Sequence, residues 1–205
     1  MLQQEYKIDE HGKEILLQDN EHQVMMEWEK PYMEACIDKL QPKGHVLEIG
    51  FGMGYSATQI QKYKPKSHTI IEMDSMVVER LEEWAKDYDN ITIVEGTWQS
   101  QMKNLGKFDE IFFDDYPLKE PENLLEKKLL AERFIMFLDI CRYSHSKSTT
   151  KISAYVHDPK AEFKKRMDEN LYYSYVEHFV NITVPDNCNY YRDNKGIIPI
   201  IQVKN

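Results

Sequence analysis

The sequence predicts an α/β fold: a seven-stranded, mostly parallel sheet with helices on both faces and an antiparallel C-terminal hairpin. Three observations carry that expectation. A buried-strand pattern, His45 to Ile49, runs straight into a turn with glycine at every second position, Gly50, Gly52 and Gly54, and a helical stretch follows at once. Short apolar runs then alternate with helical stretches to about residue 156, the signature of βαβ units. Two β-rich arms, about Tyr172 to Val184 and Tyr190 to Val203, close the chain.

Residues 1 to 20 mix charge and amide with little periodicity and read as a flexible arm or a lid that could order over a ligand. Residues 21 to 205 are expected to form one domain, because no Pro/Gly/Ser-rich linker divides them. From about Glu21 to Leu40 a helical pattern places Val24, Trp28, Met33 and Cys36 or Ile37 on one face, with Pro31 implying two short helices or a kink. Gln41-Pro42-Lys43-Gly44 turns into the first strand. A helix from about Tyr55 to Tyr63 leads to a second strand, His68 to Glu72, and a helix from about Ser75 to Tyr88 leads to a third, Ile91 to Val94. Lys107 to Phe113 is the fourth strand. A long helix, about Glu122 to Arg142, precedes a fifth strand near Lys151 to Val156, and Pro159 to Glu169 reads as helix. Within the last arm, Asp193 to Gly196 marks a turn.

Composition narrows the function. The chain of 205 residues has 41% hydrophobic and 30% charged residues, and no run approaches the roughly 20 apolar residues that span a bilayer. No membrane association is expected. Met1 to Lys7 lacks the apolar core of a secretion signal, so the expected location is cytoplasmic. A net charge of −9 without a basic stripe argues against nucleic acid and favours small cationic substrates. Three widely spaced cysteines and seven histidines without ligand spacing predict neither a disulfide framework nor a metal site.

The glycine loop is a binding loop. Glycines permit a sharp bend and close approach to a ligand, and the following helix presents its N-terminal amides to a negative group. A dinucleotide fingerprint would place its third glycine at Tyr55, whereas the chain has G-x-G-x-G led by Glu48. This resembles motif I of the class I methyltransferases that use S-adenosylmethionine. Glu72 ends the second strand, 20 residues past Gly52, where a carboxylate can accept both hydroxyls of a ribose. Trp98 and Gln99 follow the third strand and could flank an adenine ring, with Trp98 equally readable as a core anchor. Asp114 and Asp115 end the fourth strand behind an apolar Ile-Phe-Phe, a low-dielectric edge attractive to a cation.

Longer segments sharpen the resemblance. Val24-Met25-Met26-Glu27-Trp28-Glu29-Lys30-Pro31-Tyr32-Met33 resembles the V-M-x-x-W-E-x-P-Y-M segment of the guanidinoacetate N-methyltransferase family. Phe113-Asp114-Asp115-Tyr116-Pro117-Leu118 is similar to its Y-D-T-Y-P-L turn, and Cys188-Asn189-Tyr190-Tyr191 with Ile198-Pro199 to its C-terminal strands. The resemblance implies that Glu29 and Asp114 grip a guanidinium, with Asp114 taking the proton from the attacking nitrogen. It also implies that Met25, Met33, Glu48, Gly50, Phe51, Gly52, Met53, Gly54, Tyr55, Glu72, Met73, Asp74, Trp98 and Gln99 serve the cofactor, S-adenosylmethionine. Without it, Glu29 and the two methionines read as an amphipathic helix with a solvated acid.

The chain departs from the family at Asp115, where a threonine is usual, and at Phe113, where tyrosine is usual. The family's Thr-Ser pair for the substrate carboxylate is replaced around Val156-His157-Asp158. Asp115, His157 and Asp158 therefore join Glu29 and Asp114 as candidate substrate-binding residues. The leading expectation is methyl transfer to guanidinoacetate, giving creatine, or to a close small-guanidine analogue. Alternatives are transfer to arginine, free or in a protein, as in the related fungal arginine δ-N-methyltransferases, and a non-catalytic regulatory module that binds S-adenosylmethionine.

Overall fold

The computed structural model of the protein describes residues 4–115, 133–156, 167 and 172–204. Its centre is a seven-stranded sheet built from β4 (His45–Ile49), β5 (Ser67–Glu72), β6 (Ile91–Glu95), β7 (Phe108–Phe113), β8 (Ser146–Ala154), β9 (Tyr173–Asn181) and β10 (Lys195–Val203). The strand order is β6-β5-β4-β7-β8-β10-β9. The first five strands run parallel, and β10 pairs antiparallel with both β8 and β9. Connections leave β4 in opposite directions across the sheet, so the crevice between the β4 and β7 ends is the place where a ligand can enter.

Helices cover both faces. On one face, α1 (Lys30–Leu40), α2 (Tyr55–Lys62) and α3 (Ser75–Ala85) bury Ile37, Ile60 and Leu81 in a core with Val46, Ile70 and Phe112. On the other, α4 (Trp98–Gln101) and α5, described over residues 133–140, bury Trp98, Phe137 and Leu138 with Leu47, Ile71 and Phe113. Strand residues two apart share a face. Polar residues at the strand ends follow the same alternation, which decides below what each one meets. No helix among the described residues is long and apolar enough to cross a membrane.

The N-terminal region differs from the expectation. Residues read as an arm form β1 (Gln4–Ile8) and β2 (Glu14–Gln18), and part of the stretch read as helix is β3 (His22–Met26), together a three-stranded antiparallel sheet. Asp19 and Asn20, both at positive φ, lie in the three-residue connection between β2 and β3, where the Glu21 N–H donates to Gln18 O at 3.2 Å. Val24 to Met26 thus pair as strand, and a 3-10 turn, Glu27–Glu29, leads into α1. Pro31 lies in the first turn of α1, where its missing N–H costs nothing, so it starts the helix and does not kink it. The remaining described boundaries lie within a few residues of those expected, except that β8 starts five residues early at Ser146 and β10 five residues late at Lys195. Of the long helix expected over Glu122 to Arg142, the part before residue 133 lies outside the described residues. The region Pro159 to Glu169, read as helix, lies outside the described residues apart from Met167.

Candidate active site

A cavity of about 320 Å³ opens at the carboxyl ends of β4, β5 and β7, beneath the N-terminal sheet. Of the residues expected to form the site, Met25, Glu29, Gly50, Gly52, Glu72, Met73, Trp98, Gln99, Asp114 and Asp115 line it. The sheet ladder continues one step past the strands and fixes the rim: the Asp114 N–H donates to Ile49 O at 3.0 Å, and the Tyr155 N–H to Phe113 O at 3.0 Å. Gly50, at φ +82°, lies so close to β7 that a Cβ would sit 2.3 Å from the Asp114 carbonyl oxygen. A Cβ at Gly52 would sit 2.7 Å from Met25 Sδ. Glycine is therefore needed for packing around the loop as well as for admitting a ligand.

The pleat separates the two aspartates. Phe112 and Asp114 share the α1 face, while Phe113 and Asp115 share the α5 face. Asp115 Oδ2 accepts from Arg133 Nε at 2.9 Å and from Trp98 Nε1 at 3.0 Å. Its charge is thus balanced by Arg133, a residue that the sequence reading did not single out. Among the described residues, Asp114 has no such cation. Burial, then the nearby Glu29, Glu48, Asp115 and Glu72, push its carboxyl well above the usual range.

Glu29 approaches from the turn before α1 and is 2% exposed. Its Oε1 accepts from the Met26 N–H at 3.0 Å and from the Tyr190 hydroxyl. Burial pushes the carboxyl up to about 7 against the downward pull of Tyr190, Met26 and Tyr155. A buried Glu29 that raises the proton affinity of the half-buried Asp114 makes, among the described residues, a site short of positive charge, the electrostatic complement of a desolvated cation.

Glu72 is braced from three sides: Oε2 accepts from the Phe51 N–H at 2.9 Å, and Oε1 from the Met73 and Asp74 N–H groups at 2.7 and 2.9 Å. Burial raises its carboxyl pKa. One acceptor site on Oε2 remains for a hydroxyl group. Trp98 serves both of its readings, packing edge-on against Phe113 and Phe137 while lining the cavity.

Several expected cofactor residues do not line the cavity. Glu48 faces the α2 side, where Oε1 accepts from the Ser56 hydroxyl and Oε2 lies 2.8 Å from His68 Nε2. Both members of that pair are fully buried. Asp74 caps α3 through the Met76 and Val77 N–H groups. Met33 and Met53 are buried in the core, Phe51 packs on Trp84 at 5.4 Å, Gly54 caps α2 and Tyr55 begins it. These residues shape the loop from behind. His157 and Asp158 lie outside the described residues, as do Tyr116 to Leu118. Gln4, Leu16, Thr97, Arg133 and Tyr155 also line the cavity. Tyr155, just past the end of a central strand, was findable by position alone.

A parallel sheet with this strand order, a G-x-G-x-G turn at its switch point and an acid closing the next strand define a class I methyltransferase, the class whose cofactor is S-adenosylmethionine. The family model described as guanidinoacetate N-methyltransferase matches residues 4–131, more than half of the chain, and the protein belongs to that family. Protein arginine N-methyltransferase 2 of Saccharomyces cerevisiae is 37% identical over 118 residues, covering 54% of this chain and 27% of the yeast protein. Its counterpart in Candida glabrata is 36% identical over 107 residues, covering 49% and 26%. The chain spans about a quarter of the length of these curated relatives. Among solved structures, spermidine synthase from Thermotoga maritima superposes with a TM-score of 0.66 at 16% identity, covering 100% of this chain and 70% of that one. Precorrin-6y C5,15-methyltransferase from Geobacter metallireducens gives 0.59 at 14%, covering 85% and 88%. At such identities the likeness concerns the fold.

The residues lining the cavity are compatible with this cofactor: Gly52 lies under the Met25 thioether, Glu72 has acceptor capacity that a ribose hydroxyl could use, and Trp98 lines the cavity as a flat ring that an adenine could pack on. The Tyr6 hydroxyl donates to Gly52 O at 2.7 Å, tying the N-terminal sheet to the glycine loop.

Proposed function

We propose that this protein is an S-adenosylmethionine-dependent N-methyltransferase acting on a guanidino group. The observation that carries the reading is that Glu29 and Asp114, from elements 85 residues apart, border one cavity with the glycine loop, with no ion pair to a cation among the described residues. A guanidinium stays protonated up to a pKa above about 12 and has almost no nucleophilic lone pair in water. Two carboxylates can hold it by charge-assisted hydrogen bonds and draw its charge toward themselves. The bound cofactor supplies a methyl group activated on a sulfonium. Asp114 would take a proton from the attacking nitrogen, freeing its electron pair for the methyl group that the sulfonium would give up, with the S–C bond electrons staying on sulfur. Alignment and a fixed negative field in a dry cavity are the protein's main contributions. Of the two readings of residues 1 to 20, arm or lid, the lid is the role proposed for the N-terminal sheet, supported by its link from Tyr6 to Gly52.

Family membership supports guanidinoacetate as acceptor, with creatine as product. Arginine, free or in a protein, is the second reading, favoured by the names of the fungal relatives. Incubation with isotopically labelled cofactor and a panel of guanidinoacetate, L-arginine and arginine peptides, followed by mass spectrometry, identifies the acceptor. Asp114→Asn is expected to lower transfer by roughly 10²- to 10⁴-fold while calorimetry shows unchanged cofactor affinity. Absence of transfer to every guanidine in the panel would refute the proposal.

A further inference from the structure

A carboxylate oxygen accepts two strong hydrogen bonds. Both places on Glu29 Oε1 are taken, by the Met26 N–H and by the Tyr190 hydroxyl. Oε2 takes neither of these two bonds; the Tyr155 hydroxyl also bonds Glu29, and a guest would share the acceptor capacity that remains.

Tyr190 reaches Glu29 from 161 residues away along the chain, on the connection between β9 and β10. Two hydrogen bonds tie that connection to β3: Gln23 Nε2 donates to Asn187 O at 2.8 Å, and the Asn189 N–H donates to Gln23 Oε1 at 2.8 Å. The Tyr190 ring lies 6.1 Å from that of Trp28, centroid to centroid. Phenylalanine would fill the same space against Trp28, so the part of Tyr190 that packing does not explain is the hydroxyl. Among the described residues, the other titratable groups that feel Glu29 are the Tyr155 hydroxyl, from just past β8, the Asp114 carboxyl, from just past β7, and the Tyr55 hydroxyl, from the start of α2.

Building on the reading that Glu29 receives the acceptor, we infer that Tyr190 is a positioning residue for the guanidino substrate. By occupying Oε1 with Met26, it turns Glu29 into a one-oxygen ligand whose Oε2 faces the guest. Asp114 then supplies the second contact, and a guanidinium bound through one oxygen of Glu29 is held at the angle that this tether sets.

The test uses the full chain, with guanidinoacetate and L-arginine as probes titrated in the presence of S-adenosylhomocysteine. Tyr190→Phe is expected to weaken acceptor binding about tenfold, the scale of one charge-assisted hydrogen bond, while S-adenosylhomocysteine affinity stays within about twofold. The acid limb of kcat/KM moves to higher pH, because the hydroxyl no longer holds the Glu29 carboxyl down. In a Glu29→Gln background the second substitution adds little. Gln23→Ala loosens the tether without removing the hydroxyl and gives a weaker loss in the same direction, an independent check if Tyr190→Phe folds poorly. Unchanged acceptor affinity and an unmoved acid limb in Tyr190→Phe, alongside a strongly impaired Glu29→Gln, would overturn the role of Tyr190 alone. Acceptor affinity and turnover unaltered in Glu29→Gln would instead overturn the reading of the site.

Discussion

A carboxyl held ready for a cation destabilises the protein while it waits, and Glu29 makes that cost measurable. Its pKa rises from 4.5 to about 7 in the fold. The folded state therefore holds more protons than the unfolded chain between those values, and stability declines as pH rises through that window. At about 1.4 kcal/mol per tenfold change in proton affinity, the deficit is on the order of 3 kcal/mol above pH 7. Glu29→Gln preserves shape and can still accept from the Met26 N–H and Tyr190 hydroxyl at Oε1, yet it cannot ionise. The ligand-free variant should therefore melt about 6 to 12 °C above the parent at pH 8, using roughly 2–4 °C per kcal/mol for a chain of this size. The two should converge near pH 5, where the parent side chain is neutral too. Thermal melting followed by circular dichroism from pH 5 to 8.5 measures the difference. Parallel curves, or a variant less stable than the parent at pH 8, would refute the electrostatic reasoning.

Gly50→Ala places a Cβ against the Asp114 carbonyl in a left-handed backbone; about 2 kcal/mol or more of stability should be lost in denaturant titration, together with transfer activity. His68→Phe leaves Oε2 of the buried Glu48 side chain without its His68 partner, Ser56 remaining on Oε1, and should cost about 1–3 kcal/mol, with partial recovery when Glu48→Gln is added.

Much of this architecture was legible because it depends on local signals. Val46, Leu47 and Ile49 need cover on both sides, the glycines need freedom at the turn, and alternating apolar runs predict parallel crossovers. The N-terminal sheet was not legible. Its hairpin signal, Asp19-Asn20, is short, and Val24, Met25 and Met26 happen to fit a helical face extended back from α1. In the site, spacing alone ranked Asp114 and Asp115 alike. Their separation comes from the pleat, which sends neighbouring residues to opposite faces, and from Arg133, whose proximity to Asp115 is purely tertiary. Glu48 was assigned outward from its motif, whereas its place on β4 directs it toward His68 and Ser56. The Tyr190 contact with Glu29 spans almost the whole chain and left no local pattern.

The central claim is that buried, protonated carboxyls become a charged pair around a guanidinium. Proton release on binding tests it most directly, by titrating guanidinoacetate and L-arginine into the protein with S-adenosylhomocysteine at pH 7 in buffers of different ionisation enthalpy. For the acceptor that binds, more than one proton should leave per guest, from Asp114 and in part from Glu29, whose carboxyl is about half protonated at pH 7, and Asp114→Asn should cut the release to the Glu29 share. Binding with no net release, or with proton uptake, would contradict the account.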